Sequence, residues 1–472
     1  MTFPQYCGTL RLAEPIPIRG AKVKKILIFA SMSKNIAFLS FGLLLSVFTF
    51  AQKDFARKVV DTLASPYMGG RGYVDDGNQR AATYLNNEFK SLGLTPFASP
   101  DEPFGRGKSY LQKFEYPVNT YPAPYTISVN GKLAEPGADY IIIPSTPTIK
   151  GTFPVVRFDR SILLDSIKRK EFLSHDYSKT IILIDDSGAT DKKEKQFWEG
   201  FKNTPDDGGS NPFKAKGMII LCDKLTEETS ESVADYALIH ALRNTSFRYA
   251  ENITVDIKNK FIKSFPTQNL IGYIKGNVRP DSFIVFTAHY DHLGKMGSIY
   301  FPGANDNASG IAMLLSLAKY YAAHKDSLRY SIAFMAFSGE EIALLGSKYY
   351  TEHPLFPLAN IRFLINMDIM GTGDEGITVV NGTIYKNAFN DLVKINEDHH
   401  LLKLIKLRGE TSNSDHYFFY KAHVPSIFIY TMGGIKAYHD IYDRRETLPL
   451  TNFNEVFKLL IQFTGDIEGR KI

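Results

Sequence analysis

Seven side chains in this sequence have types and spacings that could do chemistry: His289, Asp291, Asp306, Glu340, Glu341, Asp368 and His439. His289 and Asp291 stand two residues apart at the end of one apolar run. A histidine that holds a metal needs a partner on its far ring nitrogen to fix tautomer and orientation, and an acid at that spacing can supply it. Asp306 lies in Gly303-Ala304-Asn305-Asp306-Asn307-Ala308-Ser309-Gly310, just before an apolar helical pattern. Glu340 and Glu341 follow the run Ile332–Phe337, Asp368 ends the run Ile361–Met367, and His439 sits late in the chain after a last apolar run. An acid at one strand end is ordinarily just a solvated terminus. Here His289, Asp306, Glu341, Asp368 and His439 come from five separate elements, and this mix of imidazole and carboxylate suits zinc. In binuclear hydrolases, two ions bridged by a carboxylate sit about 3.5–4 Å apart.

Stepping from these residues to what must carry them, Phe283-Ile284-Val285-Phe286 reads as a buried strand. From Asn269 onward strands and helices alternate, with strands near 282–288, 330–337, 361–368 and 425–430 and helices near 308–323, 341–352, 384–398 and 452–465. That alternation predicts an α/β fold, a mainly parallel mixed sheet sandwiched by helices, whose strand carboxyl ends build a site. Residues 52–124 form its N-terminal part, with a helical stripe over 78–92 closed by Gly93. Between 125 and 262 short β-type runs recur, such as Thr180-Ile181-Ile182-Leu183-Ile184 and Met218-Ile219-Ile220-Leu221. This stretch is expected to be an inserted β-rich domain with no catalytic signal of its own. Residues 263–472 are then the catalytic domain. His175 and His240 stand singly in the insert and are expected to be structural or exposed.

Residues 1–51 have the pattern of a targeting segment. Ile36 to Phe48 is nearly all apolar, too short to span a bilayer, and Thr49-Phe50-Ala51 puts small residues where a signal peptidase cuts. Met32 is the expected true start, with 1–31 an upstream extension. The mature chain is expected to begin near Gln52, to carry no stable membrane span and to be exported, periplasmic or secreted. The segment 1–51 holds six basic residues and one acidic, so beyond it 49 basic face 49 acidic. That balance gives no footprint for nucleic-acid binding. Of two cysteines, Cys7 lies in the leader and Cys222 ends an apolar run, so an internal disulfide is excluded and a buried, inert thiol is expected.

The strings His289-Tyr290-Asp291, Gly303-Ala304-Asn305-Asp306, Ser338-Gly339-Glu340-Glu341, Asn366-Met367-Asp368 and Tyr438-His439 resemble, in order and spacing, the motifs of metallopeptidase family twenty-eight. That family includes bacterial leucyl-type aminopeptidases, glutamate carboxypeptidases and, as relatives, glutaminyl cyclases. The resemblance covers about 262–472, reaches weakly to Gly69-Gly70-Arg71-Gly72, and likens the insert to a protease-associated domain. It implies a zinc-exopeptidase (phosphorylase/hydrolase-like) fold, a peptide substrate and two Zn2+ ions. One ion would be held by His289 and Asp368, the other by Glu341 and His439, with Asp306 bridging. Asp291 would orient His289. Glu340 would be the general base that takes a proton from the attacking water and returns it to the leaving amine, and Tyr438 would help hold the oxyanion.

Ser414-Asp415-His416 matches a further string of the family, in which His416 would either line the pocket or hydrogen-bond substrate, or be purely structural. His292 is expected to support the site rather than ligate. Three functional classes follow: a two-zinc aminopeptidase, a single-zinc glutaminyl cyclase, and a non-catalytic ectodomain on the same scaffold. The Asn305–Gly310 string is peptidase-like, and no ligand is eroded, which favours the first. A carboxypeptidase would need a cation for the substrate carboxylate, for which Arg408, Arg444 and Arg445 are the candidates.

Overall fold

The computed structural model describes residues 52–98, 107–201 and 209–469; the expected leader and the expected cut after Ala51 lie outside the described residues. The chain from Lys53 onward forms one compact unit. Its larger sheet has ten strands. Four central strands, in the order Tyr330–Phe337, Arg279–His289, Ile361–Met367 and Ser426–Met432, run parallel. Antiparallel strands flank them: Lys260–Ile274 beside Tyr330–Phe337, and Gly376–Val380 beside Ser426–Met432.

The apolar runs form strands because both faces of this sheet are covered, so no position needs to be polar. Tyr330–Phe337 is buried at every residue. Successive side chains divide between two cores. Ile284, Phe286 and Phe334 join the helices Gly77–Ser91, Ser309–Ala323, Lys386–His399 and Phe453–Gly469 on one side. Phe283, Val285 and Met335 meet Tyr350 and Phe419, from the helices Leu345–Glu352 and His416–Lys421, on the other. Fully burying one such side chain contributes about 1.5–3 kcal/mol, so the strand ends are firmly anchored.

One helix begins later than its periodicity predicts. The expected 341–352 helix starts at Leu345, because Ala343 and Leu344 take left-handed backbone angles (φ 59° and 58°). That turn keeps Glu341 off the helix and at the strand end.

Between Thr126 and Ile257 eight strands make a second sheet. Its interior strands Ile149–Asp159, Ile181–Asp185, Gly217–Cys222 and Ala237–Leu242 are parallel. One of its cores takes in Leu293, Met296 and Phe301, from the loop that follows His292. The long pair Leu111–Thr120 and Lys260–Ile274 leads into and out of this sheet, with Thr120 opposite Lys260. Cys222, expected to be buried, is half-buried at a strand end, its thiol donating to the Ala241 carbonyl.

Candidate metal centre

Because three of the parallel strands are neighbours, their carboxyl ends deliver His289, Glu340, Glu341 and Asp368 to one place. The loop before Ser309–Ala323 adds Asp306, and the loop after Ser426–Met432 adds His439. All are buried or nearly so. His289 Nε2 lies 3.3 Å from Asp306 Oδ1 and 3.2 Å from Asp368 Oδ1. His439 Nε2 lies 3.1 Å from Asp306 Oδ2 and 3.1 Å from Glu341 Oε2. Asp306 therefore turns one oxygen to each histidine. Glu340 stands farther out, its Oε2 3.8 Å from His289 Nε2.

The donor set fits metal. Imidazole nitrogen and carboxylate oxygens of His289, Glu340 and Asp368, and of His289, Asp306 and Glu341, lie within 4.8 Å of one another. The charge balance asks for cations as well. Burial works against a protonated imidazole, yet Glu340 and Asp368 outweigh it and hold His289 well above its ordinary pKa. Glu341 does the same for His439. Burial opposes ionisation of Glu341, but His439 and His292 bring its pKa down to about 2. Glu340 differs: burial pushes its carboxyl well above the usual range, with His289 pulling the other way.

The surroundings explain how these groups are held. His289 Nδ1 faces the Asp291 carbonyl at 3.2 Å and its Oδ1 at 3.7 Å. The Asp291 carboxylate accepts the backbone N–H of Glu340 at 3.3 Å and of Glu341 at 3.4 Å, tying one strand end to the next. The loop carrying Asp306 is sutured to the loop after Asp368. Asn307 Oδ1 accepts from Ile369 N, Asn305 Oδ1 from Gly371 N, and Ser309 Oγ from Met370 N. The Asp443 carboxylate accepts from the N–H groups of Asn305 and Asp306. Arg71, fully buried, donates to the carbonyls of Leu63, Tyr290, Pro302, Gly303 and Asp306 at 2.7–3.1 Å. Burial lowers its pKa to about 10, against the pull of Asp306 and Asp443.

His292 is fully buried and bonds Glu341 Oε1 through Nδ1, a supporting position. Tyr438 is 44% exposed, its ring stacked on that of His439 at 4.0 Å. Of the two places expected for His416, the structure has it in the interior. It is fully buried, 5.3 Å from the Phe428 ring, and burial lowers its pKa to about 4. From that string it is Ser414 that reaches the centre, donating to Asp368 Oδ2 at 3.0 Å.

Sequence patterns gave no role to Arg71, Asp443 or Ser414. They also missed three residues between strands of the second sheet. Lys224, Glu227 and Thr229 bond the loops that carry His439 and Glu341. Among the arginines weighed as carboxylate binders, Arg444 donates to the Ile441 carbonyl, Arg445 to the Asp61 carbonyl, and Arg408 to the Tyr430 hydroxyl.

Comparison with known proteins places this geometry. Residues 269–464 match the model of peptidase family M28. A probable zinc metalloprotease of Pyricularia oryzae is 35% identical over 120 residues, 24% of each chain. The aminopeptidase YwaD of Bacillus subtilis is 34% identical over 121 residues, 25% of each chain. The matched stretch thus spans about a quarter of these relatives. Among solved structures, a zinc aminopeptidase from Bacillus subtilis superposes with a TM-score of 0.63 at 20% identity, covering 89% of this chain and 96% of that one. A peptidase M28 precursor from Shewanella amazonensis gives 0.63 at 16% identity, covering 90% and 98%. At these identities the structural likeness speaks for the fold.

Proposed function

Since residues 269–464 match the model of peptidase family M28, we propose that this chain is an exported aminopeptidase working with two zinc ions. The observation that carries the reading is Asp306, with one carboxylate oxygen toward His289 and the other toward His439. His289 and Asp368 would hold one ion, Glu341 and His439 the other, and Asp306 both. When bound, such ions supply Lewis acidity and let water ionise near neutral pH.

The chain's own residues then do the proton work. Glu340, set back from the ligand oxygens, accepts a proton from the attacking water as the new C–O bond forms. It gives that proton to the amine nitrogen as the C–N bond breaks, so the proton count balances. Tyr438, exposed and stacked on His439, offers its hydroxyl to the carbonyl oxygen as that oxygen gains charge. Asp291 fixes His289 and both glutamates.

An amino terminus is the favoured end of the substrate. Two of the proteins this chain is similar to are named aminopeptidases. Arg408, Arg444 and Arg445 each have a partner already, which weighs against a carboxypeptidase. Export rests on the apolar run and the small residues before Gln52.

The test is a panel of aminoacyl-arylamides, N-blocked peptides and N-terminal glutamine peptides, read together with metal content. Turnover of the arylamides, loss of it with chelator and two zincs per chain are expected. Activity confined to N-blocked peptides would favour a carboxypeptidase. Cyclisation of glutamine peptides with a single tight ion would favour the cyclase. Native protein starting at Met1 or Met32 would remove the export proposal.

A further inference from the structure

We infer that the segment Lys224–Ser230 of the second sheet is a clamp that sets one half of the metal centre, with Lys224 as its positioning residue. This rests on the two-ion reading above. The segment joins Gly217–Cys222 to Ala237–Leu242, both strands of the second sheet, far from the catalytic strands in sequence. Yet it holds His439 from two directions. Glu227 N donates to the His439 carbonyl at 2.8 Å, and His439 Nδ1 faces the Glu227 carbonyl at 2.9 Å. A carbonyl in that place fixes the tautomer and leaves Nε2 free for a metal. His439 has φ 53°, a left-handed backbone unfavourable for a residue with a Cβ, so it needs such restraint.

Lys224 grips the same loop from its flank. Its Nζ donates to the Lys436 carbonyl at 3.1 Å and to the Tyr438 carbonyl at 2.9 Å, and lies 3.3 Å from Asp440 Oδ2. Asp440 in turn accepts from the N–H of Tyr442 at 2.9 Å. One ammonium thus ties together three points around His439. Thr229 completes the clamp, donating to the Glu341 carbonyl. All these bonds land on the loops that carry Glu341 and His439. The clamp therefore acts on the ion those two residues would hold, and the ion at His289 and Asp368 should be indifferent to it. The insert is in this sense part of the active site.

The experiment titrates zinc into metal-free wild type, Lys224→Met and Lys224→Arg, resolving two affinities and recording thermal unfolding. Lys224 is half exposed, so Lys224→Met should fold. Loss of an outer partner of a ligand typically weakens metal affinity about 10–100-fold. Lys224 acts on the backbone around His439 rather than on a ligand side chain, so Lys224→Met is expected to weaken one ion toward the lower end of that range, about tenfold, and leave the other unchanged. Its kcat should fall at limiting zinc and recover in excess zinc, with KM steady. Lys224→Arg, which can still donate to both carbonyls, should restore the affinity. Two wild-type affinities in Lys224→Met would overturn the clamp, as would equal weakening of both ions with a lowered Tm. Wild type binding a single ion would instead overturn the two-ion reading, and the clamp with it. Thr229→Val gives an independent arm, with the same selective weakening expected.

Discussion

Glu340 and Glu341 are sequence neighbours that serve different histidines, 3.8 Å from His289 and 3.1 Å from His439 respectively. Their roles can be separated by substitution. Glu340→Gln keeps size and hydrogen-bonding reach but cannot accept the proton. It should retain both zincs while kcat falls by about 10²–10⁴ and KM moves little. Glu341→Ala removes an anionic ligand and should lose metal and activity together. Zinc content measured beside kcat decides: near-native kcat in Glu340→Gln sinks the base assignment, and native metal content in Glu341→Ala reverses the pair. At this scale the sequence was informative because ligand chemistry admits few residue types. His289, Asp306, Glu341, Asp368 and His439 could be picked out by type and place, and they meet in space. Arg71 could not, since its donors go to backbone carbonyls, one of them 219 positions away, and backbone partners leave no mark in a sequence. A motif fixes neighbours along the chain and not which of them turns inward: in Ser414-Asp415-His416 it is Ser414 whose hydroxyl reaches Asp368.

Among elements, the turn at Gly70-Arg71-Gly72 runs directly against Gly294, two residues past His292. A Cβ on Gly72 would stand 2.3 Å from the Gly294 Cα, and one on Gly70, which has φ 67°, would stand 2.4 Å from the Gly294 oxygen. Both obstacles are backbone, so they cannot swing aside. Gly72→Ala is therefore expected to destabilise the fold by about 1–3 kcal/mol, the usual cost of overpacking, and to weaken metal binding by shifting the loop after His289. Denaturant unfolding and zinc titration check this; unchanged values in both would contradict the close approach. The parallel strands and the helices on them were legible because each is a long apolar or periodic run. The antiparallel strand Lys260–Ile274 was not, since its outer half is exposed or half-buried throughout and only its inner half is buried. The start of the helix at Leu345 was also hidden. Left-handed angles at Ala343 and Leu344 follow from the tertiary site rather than from the preferences of those residues.

In the whole molecule, the second sheet has its own electrostatic lock. Asp185 accepts from Arg157 and Arg243 at 2.6 Å each, and Arg243 also pairs with Asp186. Burial alone would raise the Asp185 pKa, but Ser187 and the two arginines outweigh it and the net shift is downward. A carboxyl whose pKa is lower folded than unfolded contributes stability above its unfolded value of about 3.9 and loses it as pH falls through the folded value. Asp185→Asn should therefore lower Tm at neutral pH and by less at about pH 3, below the unfolded value, where the unfolded chain already takes up the proton. Equal loss at both would show that the charge contributes nothing. The strand content of this region was legible from its apolar runs, whereas its parallel interior was not, because the connections between its strands mix short helices with irregular chain. The entry and exit of this sheet stand side by side, with Thr120 opposite Lys260 and its hydroxyl bonded to the Lys260 carbonyl. A module joined through adjacent residues of one ribbon enters and leaves its host at a single place. In this chain exchanging it would not be neutral: a foreign module would take away the bonds of Lys224, Glu227 and Thr229 to the loops of His439 and Glu341, and the core that holds Leu293, Met296 and Phe301, so the lineage of this sheet is bound to that of the loops it steadies.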